Sequence, residues 1–139
     1  MFSDVNIFAV IASVAMAMII GSVWYSPSVL GKKWMDALKK TPEDLEKEKT
    51  SMNMTKLYST QLLISFIGAY SLAFIITGMG ITSIADAIIA GLIVSIGIIA
   101  SNSYGNVLWG HGSREAFLIW TGGNIITIVV MSIILAIWQ

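Results

Sequence analysis

Four long apolar stretches separated by polar connections organise the chain: Val5 to Trp24, Leu57 to Gly78, Asp86 to Leu108 and Ala116 to Trp138. A helix needs about 20 mostly apolar residues to cross a hydrocarbon core of roughly 30 Å, and each stretch meets that length. Within them only Asp86 is formally charged, and it stands at an end. The pattern predicts an all-α, integral membrane four-helix bundle that forms a single domain over residues 1–139.

The connection over residues 25–56 has a pattern of its own. Val29, Leu30, Trp34, Met35 and Leu38 recur on one helical face, with Lys32, Lys33, Asp36, Lys39 and Lys40 mostly elsewhere. This predicts a short amphipathic helix lying in the membrane interface between the first two spans. Thr41, Pro42, Glu43 and Asp44 then read as a helix start: a capping hydroxyl, a residue preset for the first turn, and two acids at the positive end of the dipole. Asp86, after Thr82 and Ser83, reads as a capping and dipole-stabilising residue in the same way.

Composition agrees with the pattern. The 139 residues are 56% hydrophobic and 12% charged, with a mean hydropathy of +0.81. A soluble domain of this size could not hide so much apolar surface. All eight Lys and Arg residues lie between Lys32 and Lys56 or at Arg114. Cytoplasmic loops are enriched in these residues, so both connections are expected inside and both termini outside. A cleaved signal peptide is not expected, because no basic residue precedes the first apolar run. The formal net charge of zero and the absence of a basic helix argue against nucleic acid as a partner. With no Cys, disulfides and thiolate chemistry are excluded.

Candidate chemistry is confined to polar side chains within the spans. Ser95, Asn102 and Asn106 share a face of the third span at ideal helical spacing. Amides are costly against lipid, so this stripe is expected to face the bundle or a wet cavity. Asn124 of the fourth span lies at comparable depth with Thr121 and Thr127, and a bond from Asn124 to Asn102 or Asn106 is expected. The stripe reads either as interhelical glue or as a path for a small neutral or zwitterionic solute. Trp24, Tyr25, Pro27 and Trp34 read as interface anchors. Ala9, Ser13, Ala17 and Gly21 form a small-residue packing face on the first span, toward the chain's own bundle or toward a second copy. His111 and Arg114 lie in the loop before the last span. His111 reads as a headgroup-level residue or as a proton-responsive group at the mouth of the stripe. It has no second ligand at metal spacing, and no cofactor or metal site is indicated.

Gly21, Trp24, Tyr25, Ser26, Pro27, Gly31, Lys32 and Trp34 resemble the motif of a family of small bacterial and archaeal membrane proteins, domain of unknown function 1761 (DUF1761). The resemblance extends to the opening Asn6, the Thr-Pro-Glu-Asp-Leu helix start at Thr41 and the third span ending in Asn106. The chain departs from the family in the Gly110 to Ser113 loop, which is usually more basic. The family's usual Asn-Ala-Gly-Tyr-His pattern is represented only loosely by Thr121, Gly122, Gly123 and Asn124. The resemblance implies a four-span bundle in a prokaryotic inner membrane and no particular activity.

Two functions follow as expectations. The first is a non-enzymatic bundle that self-assembles as a homo-oligomer or serves as an accessory to other membrane subunits, with lipid as its constant partner. The second is an oligomeric pore or carrier for a small neutral or zwitterionic solute, lined by Asn102, Asn106 and Asn124. An enzyme is not expected, since no nucleophile sits beside a base and no phosphate loop follows a strand.

Overall fold

The computed structural model describes residues 4–139, which form six helices and no strand. They are α1 (Ile7–Trp24), α2 (Gly31–Ala37), α3 (Pro42–Ser51), α4 (Met54–Gly78), α5 (Ile84–Leu108) and α6 (Arg114–Ile137). Four of these, α1, α4, α5 and α6, are long and apolar enough to cross a membrane. Their outward faces carry exposed Ile, Leu, Phe and Val side chains throughout, a surface suited to lipid rather than water.

The helix starts are written locally in polar residues. Asn6 accepts from the N–H groups of Phe8 and Ala9, Asn53 from Lys56, Ser83 from Asp86 and Ser113 from Ala116. Thr41 and Asp44 form a reciprocal capping box at the head of α3, with Pro42 behind the cap. Ser83 both accepts from the Asp86 N–H and donates to its carboxylate at 2.7 Å, so Asp86 is held at the cap of α5. Each such cap contributes about 1 kcal/mol by satisfying donors that a helix start leaves orphaned.

α6 is the hub: it packs against α1, α4 and α5, and α2 docks on its first turns. The core is not spread along the bundle. Ala9, Val10 and Val14 of α1 meet Ala69, Leu72, Ala73 and Ile76 of α4, Ala87 and Ala90 of α5, and Met131, Leu135 and Ala136 of α6. All of these lie at the end remote from the lysines, where α1 and α5 begin and α4 and α6 finish. Small side chains there let the helices approach closely. Gly91 on α5 marks one such approach: a Cβ at this position would fall 2.9 Å from the Cα of Val129 and 3.0 Å from the Ser132 hydroxyl.

At the Lys-rich end the bundle opens. Residues 55–64 of α4 are exposed on every face of the helix. α3 buries no residue and is tethered by Lys40 to Glu48 at 2.7 Å, a half-exposed pair of the kind that contributes little. The molecule resembles a peg, gripped at one end by alanines and splayed at the other.

Candidate functional site

Splaying leaves a cavity of about 800 Å³ bounded by α1, α4, α5 and α6. Its walls are mostly apolar. Polar groups enter from three helices: Ser22 and Tyr25 at the end of α1, Gln61, Ser65 and Ser71 on α4, and Asn124 and Thr127 on α6. Among the described residues, no Asp, Glu, Lys, Arg or His lines it. Burial pushes the Tyr25 hydroxyl above the usual phenol range, so it remains neutral.

Hydrogen bonding along the helices decides what these groups still offer. Ser22 donates to the Met18 carbonyl at 2.8 Å, Ser71 to Ile67 at 2.8 Å and Thr127 to Gly123 at 2.8 Å. The Asn124 amide nitrogen donates to the Trp120 carbonyl at 3.0 Å, and the Gln61 nitrogen to the Ser65 hydroxyl at 3.3 Å. The hydroxyl protons of Ser22, Ser71 and Thr127 are thus committed to their own helices, while their oxygens and the amide oxygens of Asn124 and Gln61 remain as acceptors.

One wall is set by Trp24. Its indole Nε1 donates to the Ile119 carbonyl of α6 at 2.9 Å, and its ring covers Gly122 and Gly123, where an added Cβ would come within 2.9 Å of ring atoms. The chain then folds back through a tight turn. The Leu30 N–H donates to the Trp24 carbonyl at 3.2 Å and the Gly31 N–H to Ser26 at 2.9 Å, and a Cβ on Gly31 would collide with the backbone of Tyr25 and Ser26. Only glycine admits so close an approach. α2 is thereby brought under the bundle, where Trp34 meets Tyr25 edge-on at 5.1 Å and Ser113 donates to the Ala37 carbonyl at 3.2 Å. Trp24 is turned inward as an interhelical lock, while Pro27 in the turn is exposed.

The expected asparagine stripe is not assembled. Ser95 is buried and donates to the Gly91 carbonyl at 2.7 Å, whereas Asn102 and Asn106 are exposed, and Asn124 turns to its own helix rather than to either of them. The cause lies between them: residues Ile93–Ala100 of α5 form a π-helix. An i→i+5 ladder turns the chain less per residue than an α-helix, so whatever follows it falls behind the face predicted at 3.6 residues per turn. Asn106 instead borders a shallower cleft of about 250 Å³ under α2, with Trp34, His111, Phe117 and Trp120. His111 is an exposed loop residue whose N–H donates to the Asn106 carbonyl at 2.8 Å, and Arg114 opens α6 and is exposed.

The small-residue face of α1 divides between two tasks. Ala9 and Ser13 are buried in the core, while Ala17 and Gly21 line the cavity, and a Cβ on Gly21 would meet nothing within 4 Å. Of the cavity's polar members, Gln61, Ser65 and Ser71 were not among the expected site residues. Gln61 and Ser65 are four residues apart, and Ser65, Gly68 and Ser71 follow at steps of three, so they mark one broad face of α4.

The fold and this cavity define an all-helical protein whose apolar helices fit a membrane and border a half-open, largely apolar, uncharged hollow. The chain belongs to the family described as "Protein of unknown function (DUF1761)", whose model matches residues 8–136. No curated protein and no solved structure matches it.

Proposed function

We propose that this chain is a non-enzymatic, four-span protein of a prokaryotic inner membrane that holds a small uncharged molecule within the bilayer, between α1, α4 and α6. The observation that carries this reading is the cavity of about 800 Å³, a volume typical of small-molecule sites, with a few polar groups set in apolar walls. The Lys-rich connection and Arg114 would face the cytoplasm and both termini the outside, in keeping with the bias of basic residues toward cytoplasmic loops. Of the three asparagines expected to line a solute path, Asn124 takes part in this cavity.

A second reading is favoured by one further observation. The stretch 55–64 of α4 is exposed all round although it belongs to an apolar helix, and it carries Gln61. A second copy or a foreign subunit covering it would make the protein a self-assembling or accessory bundle.

Native mass spectrometry of the protein extracted in mild detergent from its own membrane separates the two. A bound small molecule, lost in Gly68→Leu, supports the cavity reading; Gly68 lines the cavity and an added Cβ there meets nothing within 4 Å, so the larger side chain starts into open space. A stoichiometric second chain without a small molecule supports assembly. A bare monomer overturns both.

A further inference from the structure

We propose that the cavity accepts a lipid alcohol, meaning an uncharged amphiphile whose head donates a hydrogen bond and whose tail is hydrocarbon. The inference deepens the preceding reading and rests on the cavity being a ligand site.

The lining excludes other classes in turn. An ionised head would enter a mostly apolar hollow in which, among the described residues, no charged side chain waits to compensate it. A purely hydrocarbon ligand would leave the amide oxygens of Asn124 and Gln61 unanswered in an apolar setting. A neutral head with hydrogen-bonding capacity remains.

The sense of that hydrogen bond follows from the bonds already made. Ser22, Ser71 and Thr127 give their protons to carbonyls of their own helices, and Asn124 gives one amide hydrogen to Trp120. Donors that remain are the Ser65 hydroxyl, the second amide hydrogens and the Tyr25 phenol. Acceptors outnumber them, because each committed hydroxyl and each amide oxygen keeps lone pairs. An acceptor-rich hollow selects a donor, and a hydroxyl, which both donates and accepts, matches the mixture better than an ether, ester or ketone, which only accept.

The hydrocarbon tail would leave where the helices are least in contact. α4 and α5 scarcely touch along their lengths, and each lends apolar side chains to the cavity, Ile64 from α4 and Val94 and Ile99 from α5. At 1.5 Å per residue, Asn124 stands about 15 Å along α6 from Arg114, deep enough for a head to be held away from the helix ends. A tail leaving sideways between α4 and α5 would lie among the exposed apolar side chains of both helices.

The test uses the full chain in phosphatidylcholine vesicles with three photoreactive probes of equal length: a diazirine-bearing fatty alcohol, its methyl ether and the corresponding alkane. Crosslinks are mapped by mass spectrometry of the digested protein. The expected result is saturable labelling of α4 and α6 cavity residues by the alcohol, weaker for the ether by roughly two- to tenfold, the worth of one hydrogen bond. Thr127→Val, nearly isosteric, and Asn124→Leu should reduce the preference for alcohol over ether and leave alkane labelling unchanged. Equal saturable labelling by alcohol and ether overturns the ligand class while leaving the cavity as a site. No saturable labelling by any probe overturns the proposal together with the reading beneath it.

Discussion

Trp24 and Gly123 fit together so closely that a Cβ on the glycine would fall 2.9 Å from the indole nitrogen, the same atom that donates to the Ile119 carbonyl at 2.9 Å. Contact and hydrogen bond form one unit, since moving the ring to admit a methyl group breaks the bond. Gly123→Ala should destabilise the fold by about 1–3 kcal/mol, the usual cost of overpacking. Trp24→Phe should cost about 1 kcal/mol for the lost hydrogen bond plus the smaller ring. Because the two act on one contact, the double variant should lose less than the two losses added. Thermal unfolding of all four proteins in one detergent provides the cycle, and strict additivity would show that ring and glycine are not coupled.

Gly91 and Gly97 make a paired comparison on α5. A methyl group at Gly91 would press on the Val129 backbone, which cannot step aside without shifting α6, whereas one at Gly97 meets nothing within 4 Å. Gly91→Ala is expected to cost about 1–3 kcal/mol. Gly97→Ala should be neutral or stabilising by up to about 1 kcal/mol, because alanine loses less backbone freedom in a helix. Unfolding of each variant in a denaturing detergent series gives the comparison, and equal losses would show that Gly91 is not held against α6.

How far the sequence discloses this arrangement differs from element to element. The long helices and their starts are legible because the information is local: an apolar run of sufficient length, and a capping oxygen such as Asn53 or Ser113 just before the first turn. The place of Asn102 and Asn106 is not, because it depends on the π segment Ile93–Ala100, a stretch of Ile, Val, Gly, Ala and Ser with no residue that announces a change of pitch. The inward turn of Trp24 is a tertiary choice between lipid headgroups and a bed of two glycines on a helix almost a hundred residues away. The adjacent pair Gly122–Gly123 is visible in the sequence, but nothing local couples it to Trp24. The cavity's α4 face was within reach: Gln61, Ser65 and Ser71 flank Gly68 at helical spacing, and their relevance emerges only once the helices are seen to diverge.

Ser13 is fully buried in the packed end, and its hydroxyl has no hydrogen-bond partner among the described residues, whereas Ser22, Ser71 and Ser132 bond the carbonyl four residues back. A buried hydroxyl without a partner costs about 1–3 kcal/mol in mutational data. Ser13→Ala keeps the small volume and removes that cost. It should raise thermal stability in detergent by about 1 kcal/mol, and a loss of stability would mean that the hydroxyl is satisfied in the membrane by a group outside this chain.

Asp44 carries the pH dependence of α3. The Thr41 backbone N–H donates to its carboxylate at 2.9 Å, and this bond, with the Thr41 side chain and the nearby Lys40 charge, holds its pKa below the usual carboxylate value. A group whose folded pKa is lowered stabilises the folded form at pH above its unfolded value, about 3.9 for Asp, and loses that contribution as pH falls through the lowered folded value. The start of α3 should therefore be unchanged from neutral pH down to about 5 and fray only in stronger acid. Carboxyl-carbon NMR of the full chain should show Asp44 titrating below the ordinary Asp value. In Asp44→Asn the Thr41 amide shift, whose N–H donates to this carboxylate, should lose its acid dependence. Titration of Asp44 at or above the ordinary Asp value would show that the reciprocal bond to Thr41 is not maintained in solution.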